Sequence, residues 1–512
     1  MATGLPARWG ILDGRKGDLK ERCEQYARWT LPWVCPIDNT KNQEHEKGSV
    51  DIGSRLVNHL SHRIVDTMFP NDRPFFSLST PPQVERELTQ DMDEQELSDW
   101  RSEVNVAVAN AENDAMRMMD LTSYRPIAVQ AVSHQIITGN IAMLRAPDGK
   151  RINYGIKDFC ARRNVKGDLV EAMLKDNKYF GSLPEFVKEQ VRTTRPDLKD
   201  EDECILYTRF SFEGGKWMQT QSIDEVSLDN ETSYNVKDMP LMILTWNLTR
   251  GEHYGRGLVE DYAVTFHNLD VTTKAMLDLI GISADIKWLV DPSSILDIAE
   301  WNAAPRGAYM PGRKDDISTP DFPKQVEISQ LAERIQTWEQ GLARAFLLSS
   351  AGVRDAERVT AEEIRFMARE IESAFGGLYS RLAIEWQKRE ADWLISQINF
   401  SEYYQGEKIW EVRVTTGLES LSREGQLDML RLAVSDLQML NEMPEPVLAT
   451  IDIGKFATHI FMARGVKAID FIKTAKQMQD EQQAAQAQEQ QLIAQQQEGN
   501  VAAEAAKAAL KE

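Results

Sequence analysis

Several groups of residues in this chain have the types that chemistry requires. Asp315-Asp316, directly after Arg313-Lys314, is a carboxylate pair of the kind that holds divalent metals in nucleases. Its setting among Pro305, Gly307, Pro311, Gly312, Pro320 and Pro323 gives no rigid platform for two-metal work, so a metal-dependent nucleic-acid enzyme is kept only as an alternative. Gly251-x-x-x-Gly255-x-Gly257 lacks both the Gly-Lys-Ser/Thr ending and the strand-to-helix spacing of phosphate loops, and a turn before a helix at Leu258 is expected. His59 and His62 share a helix face but have no carboxylate at metal-motif spacing. Asp91, Asp93, Glu94 and Glu96 lack the glycine and closing glutamate of a calcium loop, which leaves a solvated helix face or turn. Cys23, Cys35, Cys160 and Cys204 lie far apart without Cys-x-x-Cys spacing and read as reduced thiols. No catalytic residue, metal or cofactor is expected, and the chain reads as a non-enzyme.

Bulk properties narrow the classes further. At 512 residues and 42% hydrophobic content the chain can bury a large core, and its length suggests two to four domains. Its 59 Lys and Arg stand against 80 Asp and Glu, and the net charge of -21 opposes a tight grip on phosphate backbones. The first residues, Met-Ala-Thr-Gly-Leu-Pro-Ala-Arg, contain no apolar leader. No later run reaches the roughly eighteen apolar residues of a membrane span, so no membrane partner and a cytosolic site of synthesis are expected.

The elements that would position these residues follow from periodicity. Asp18 is expected to cap a first helix that ends near Thr30, before Leu31-Pro32. Leu56, Val57, Leu60, Ile64 and Met68 predict a helix over 53–68, followed by a short strand at 75–79. Helices are expected over about 84–119 and 124–138, and Pro147-Asp148-Gly149 predicts a hairpin joining 141–144 to 151–154. Residues 169–176 and 183–191 read as helices, and 205–212, 217–221 and 241–246 as strands. The fold class is α+β, mostly α.

From Leu258 the pattern changes. Tyr262, Phe266, Leu269, Met276 and Ile280 form an apolar stripe ending at Gly281, a helix roughly 34 Å long. Strands are expected at 285–290 and 325–328 in the Pro/Gly-rich stretch that follows, and Leu331, Ile335, Trp338, Leu342 and Phe346 mark a second long helix. It leads into the polar loop Ser349 to Val359. There Thr360 and Glu363 form a Thr-x-x-Glu capping box that opens a third helix, with Ile364, Met367, Ile371, Phe375, Leu378, Leu382 and Trp386 on one face to about Ile398. Gly376-Gly377 inside it predicts a bend or a close helix contact. A strand over 409–415 and a helix over 421–440 come next. Beyond Met478 the chain is Gln/Ala/Glu-rich, a composition that stays disordered in an isolated copy or is ordered as helix by neighbouring copies.

This order of elements, together with Thr122-Ser123-Tyr124-Arg125, Thr138-Gly139-Asn140, Tyr254-Gly255-Arg256-Gly257-Leu258-Val259-Glu260-Asp261-Tyr262, Glu357 to Arg365, Gly376-Gly377-Leu378-Tyr379-Ser380 and Thr416-Gly417-Leu418-Glu419, resembles the portal proteins, or head-to-tail connectors, of short-tailed autographivirus-type bacteriophages. The resemblance covers about 15–465 and implies a ring of twelve copies at one capsid vertex, the channel for double-stranded DNA during packaging and ejection. It divides the chain into a wing (1–256 and 360–440), two stem helices (257–281 and 329–348), a clip (282–328), a tunnel loop (349–359), a crown (441–475) and a tail (476–512) that is a helical barrel or disordered. It places Ser349, Ser350, Arg354, Asp355, Glu357 and Arg358 in the loop facing DNA, with Thr360 and Glu363 anchoring that loop. Trp288, Tyr309, Arg313 and Lys314 would lie on the clip, facing the terminase large subunit and the tail adaptor. Further implied partners are the major capsid protein and the internal core and scaffolding proteins. The location is the virion after assembly in the bacterial host cytoplasm. A scaffold or tail adaptor is the other structural reading.

Overall fold

The computed structural model describes residues 4–37, 47–71, 74–79, 94–284, 289–293, 297–305, 307–309, 311, 313, 317–318, 325–348, 375–377, 380–398 and 411–414. All belong to one unit, Met1–Gly417. Among them helices and strands are mixed, with helical residues the more numerous.

The chain opens with α1 (Leu5–Gly14) and α2 (Gly17–Trp29). Two helices thus stand where one was expected, and Asp18 lies inside the first turn of α2, because the cap position is Lys16. A carboxylate there still meets the positive end of the helix dipole. Then come α3 (Ile52–Met68), β1 (Phe76–Ser79), α4 (Glu94–Leu121) and α5 (Tyr124–Thr138). The expected hairpin is present as β2 (Asn140–Arg145) and β3 (Arg151–Tyr154), with Gly149 at φ 84° in its turn.

A second sheet follows: β4 (Phe159–Arg163), β5 (Leu169–Tyr179), β6 (Glu203–Glu213), β7 (Lys216–Ile223), β8 (Val226–Ser227) and β9 (Thr232–Tyr234), interrupted by α6 (Glu185–Thr194). The expected helix at 169–176 is therefore a strand. Its helix-forming residues are overruled because β5 lies between β4 and β6, where Ala172, Met173 and Leu174 are buried. Strand β10 (Leu241–Thr245) returns to pair antiparallel with β2, giving the order β10-β2-β3.

The first long helix is broken. α7 (Leu258–Asp261) and α8 (Ala263–Ala284) are separated by Tyr262 at φ -110°, ψ 15°. In the stretch after it, β11 (Leu289–Val290) pairs antiparallel with β12 (Ile317–Ser318), and α9 (Ile298–Ala303) is capped by Asp297, whose Oδ1 accepts from the Ala299 amide at 2.8 Å. The strand expected at 325–328 is instead the first turn of α10 (Gln325–Ala345). Four residues are too few to separate the two periodicities. Residues 375–377 and 380–382 are helical, a π-helical turn spans Ala383–Gln387, and α11 (Lys388–Gln397) completes that helix. A Cβ added at Gly376 or Gly377 would meet nothing within 4 Å among the described residues, and an irregularity follows about two turns later. β13 (Glu411–Val414) pairs antiparallel with β1, joining distant parts of the sequence.

The main core joins α2 to α5, both ends of the β2 sheet, the start of α8, the end of α10 and α11. Its centre is aromatic: Phe69 lies 4.9 Å from Phe75, 5.2 Å from Tyr124 and 5.3 Å from Trp386, ring centre to ring centre. A satellite core beneath α6 gathers Phe180, Val187, Val191 and Ile223, and Trp9 of α1 packs on Tyr207 of the larger sheet.

Candidate functional site

Among the described residues the two long helices are rooted in this body at one end. Phe266 of α8 stacks on Trp29 of α2 at 6.4 Å and meets Phe346, just past α10, edge-on at 6.0 Å. Tyr262 also contacts Phe346. At the other end of the pair, Leu279 of α8 lines a groove of about 640 Å³ with Gln330, Leu331 and Arg334 of α10. Start therefore meets end, and the helices are antiparallel.

A reciprocal backbone lock fixes where α8 begins. The buried Asn140 side chain donates from Nδ2 to the Gly255 carbonyl at 2.8 Å and accepts from the Gly255 amide at 2.7 Å. Gly139, at φ 74°, lies so near that a Cβ would come within 2.5 Å of the Arg256 carbonyl carbon, and one on Gly257 would come within 2.6 Å of the Ile136 carbonyl oxygen. Thr138-Gly139-Asn140 and Tyr254-Gly255-Arg256-Gly257, more than a hundred residues apart, are thus two halves of one joint. The glycine-rich stretch read as a simple turn serves close packing.

The end of α10 is fixed just as firmly. Leu347 has the left-handed φ of 58°, its amide donates to Arg344 O at 3.1 Å, and the Leu348 amide donates to Ala343 O at 2.8 Å. This is a Schellman closure with leucine where glycine is usual, a conformation that costs about 1–2 kcal/mol. Burial of the leucine side chain and a hydrogen bond from Arg63 Nη1 to the Leu347 carbonyl at 3.0 Å offset that strain. Burial, with the charge of Arg63, holds the His59 pKa below its ordinary value, so the imidazole here is neutral near pH 7. His59 therefore belongs to this anchor, which the sequence did not reveal.

The segment 349–374, with Ser349, Ser350, Arg354, Asp355, Glu357, Arg358, Thr360 and Glu363, lies outside the described residues, as do Trp288, Lys314, Asp315 and Asp316. Tyr309 and Arg313 are described and exposed. In the same stretch of sequence Leu289, Ile298 and Trp301 also present apolar surface. After the gap the chain is gripped again. Phe375 meets Trp246 at 5.4 Å, Arg381 donates to the carbonyls of Thr245 and Trp246, and Trp386 Nε1 donates to the Tyr124 hydroxyl. Arg151 and Glu390 form a fully buried ion pair, and the Arg151 guanidinium lies 4.4 Å from the Trp393 ring centre. Burial opposes the Arg151 charge, but Glu390 outweighs it and the pKa is raised.

Among the described residues no group of three His, Cys, Asp or Glu is placed to hold a metal, and no helix is long and apolar enough to cross a membrane. The four cysteines are buried and unpaired by disulfide, and burial pushes the Cys160 thiol up to about 11, far from nucleophilic use at neutral pH.

A packed mixed body thus roots a long antiparallel helix pair. The chain belongs to the bacteriophage head to tail connecting protein family, whose profile matches residues 2–471. It is 27% identical to the portal protein of Enterobacteria phage SP6 over 94% of this chain and 92% of that protein. Identity to the portal protein of Pseudomonas phage phiKMV is 28%, over 94% of each chain. For the portal protein of Escherichia phage T7 it is 25%, over 93% of this chain and 90% of that one. The resemblance carried by the sequence motifs is met. A chain in the neck of an empty gene transfer agent particle is 12% identical, with 77% of this chain and 90% of that chain covered, at a TM-score of 0.37, too distant to build on.

Proposed function

We propose that this chain is the subunit of a portal: a closed ring of about twelve copies at one capsid vertex, through which double-stranded DNA is packaged and later ejected. The observation that supports the ring is that α8 leaves apolar side chains uncovered on the side away from the core. Phe266 and Leu269 face the core, whereas Val264 and Val271, two turns apart and roughly 140–160° round the helix from Phe266, are 74% and 52% exposed. A neighbouring copy is the partner that would cover these valines. The open groove between Leu279 and Leu331 supports the same reading.

In this assembly α7, α8 and α10 are the stem around the channel and 282–328 the clip. The exposed Leu289, Ile298, Trp301, Tyr309 and Arg313 would meet the terminase large subunit and the tail adaptor. Residues 349–359 would be the tunnel loop, held at its start by Arg63 and beyond its end by Arg151 and Glu390. The charge of -21 per copy suits a channel wall along which DNA slides without sticking. Arg354 and Arg358 would supply narrow cationic rings within it. Contacts with the major capsid protein and with internal core and scaffolding proteins, and assembly in the host cytoplasm, complete the proposal.

Negative-stain images of the purified full chain test it. Rings with a central hole are expected, and isolated subunits at micromolar concentration would overturn it.

A further inference from the structure

We propose that the cleft where α1, α2 and β4 meet the turn before α7 is a binding site for a phosphate-type dianion. The cleft has a volume of about 310 Å³ and is lined by Arg15, Arg22, Arg162 and Arg256 against only Glu252 and Glu260. Four arginines less two glutamates leave a local charge of +2 in a chain whose net charge is -21. Such an island needs an occupant or a reason.

The ion pairs say which charges are spare. Arg22 is bound to Glu260 at 2.8 Å and Arg256 to Glu252 at 3.0 Å, so both glutamates are consumed within the cleft. Arg162 reaches Glu171 only at 3.8 Å, and that carboxylate is already held by Arg8 and by Arg209 at 2.8 Å. The Arg15 side chain makes no hydrogen bond or ion pair among the described residues, and it is exposed. Two guanidiniums are therefore available, each a planar fork suited to paired oxygens, and together they match a dianion better than a single carboxylate.

His253 supplies a third donor. Its Nδ1 accepts from the Arg163 amide at 3.2 Å, which places the proton of the neutral ring on Nε2. Burial, then the charges of Arg162, Arg15 and Arg163, hold its pKa below the ordinary histidine value. An anion seated between Arg15 and Arg162 would offset those charges and raise the pKa. The cleft borders α7 at Glu260, but its spare cations Arg15 and Arg162 lie outside the proposed stem and clip, and the site stands whether or not the chain forms a ring.

Calorimetric titration of the full-length protein with sodium tripolyphosphate, at ionic strength matched with sodium chloride, tests the site. The expected result is one site per chain. The Arg15→Gln/Arg162→Gln variant should bind about tenfold more weakly or worse, a loss of about 1.4 kcal/mol or more. A parallel titration with a short DNA duplex separates the sources of phosphate: binding of tripolyphosphate alone assigns a free phosphate compound, and variant-sensitive binding of the duplex alone assigns nucleic acid. Absence of both, or affinity unchanged in the variant, overturns the site. Should the double variant fail to fold by circular dichroism, Arg15→Gln alone touches no ion pair and serves the same comparison.

Discussion

The region around Trp386 and the outer part of α8 bury apolar surface by opposite rules. Around Trp386 every large side chain finds its partner within one chain: Phe69, Phe75, Tyr124 and Trp386 close on each other, and Gln387 donates to the Met68 carbonyl. Along α8, Val264, Val271 and Leu277 are left in contact with solvent. The contrast shows that stability of the subunit and completion of its surface are separate matters. The first is settled within the chain, whereas the second would fall to further copies in the proposed ring.

Changes on the two sides should therefore have separable effects. Glu390→Ala strands Arg151 in a dry site and should cost about 3–5 kcal/mol, read as a lowered urea midpoint. Trp386→Ala empties the aromatic centre at a similar cost of about 3–5 kcal/mol. A loss under 1 kcal/mol in both would break the comparison by showing that the body is not where stability resides.

The next effect depends on pH. His134 is buried, and burial alone pushes its pKa down to about 4 from the ordinary 6.5. The folded histidine thus resists the proton that the unfolded chain accepts, so stability is full above about pH 6.5 and falls as pH drops toward 4. That is a loss of roughly 3 kcal/mol at most. Denaturation midpoints of wild type and His134→Phe over this window should diverge, with the variant the flatter.

Gly139→Ala should cost roughly 2 kcal/mol, because the positive φ and the Arg256 backbone both oppose a Cβ. It should also loosen the start of α8, seen as faster amide exchange near Gly257. The smallest stability effect belongs to Val264→Asp with Val271→Asp: within about 0.5 kcal/mol for the subunit, as for exposed positions generally, while assembly is lost.

What the sequence disclosed depended on how local the cause was. Leu56, Val57, Leu60, Ile64 and Met68 revealed α3, and Pro147-Asp148-Gly149 revealed the hairpin, since periodicity and turn chemistry lie within a few residues. Residues 169–176 misled because Glu171, Ala172, Met173 and Leu174 favour helix locally, and only the flanking strands make them β5. Asn140 and Gly255 carried no sign of their mutual hydrogen bonds, although both stood in motifs quoted for the family likeness. The strain at Leu347 was equally hidden, because no glycine marks it. The Thr360 cap and the charged loop before it remain expectations of the sequence, outside the described residues.

The mass of the full-length chain in solution, by light scattering beside Val264→Asp/Val271→Asp, tests the subunit-interface account most directly. A wild-type particle near twelve times the chain mass, with a folded monomer for the double variant, is the result predicted. A wild-type monomer, or a double variant that assembles as well as wild type, would contradict it.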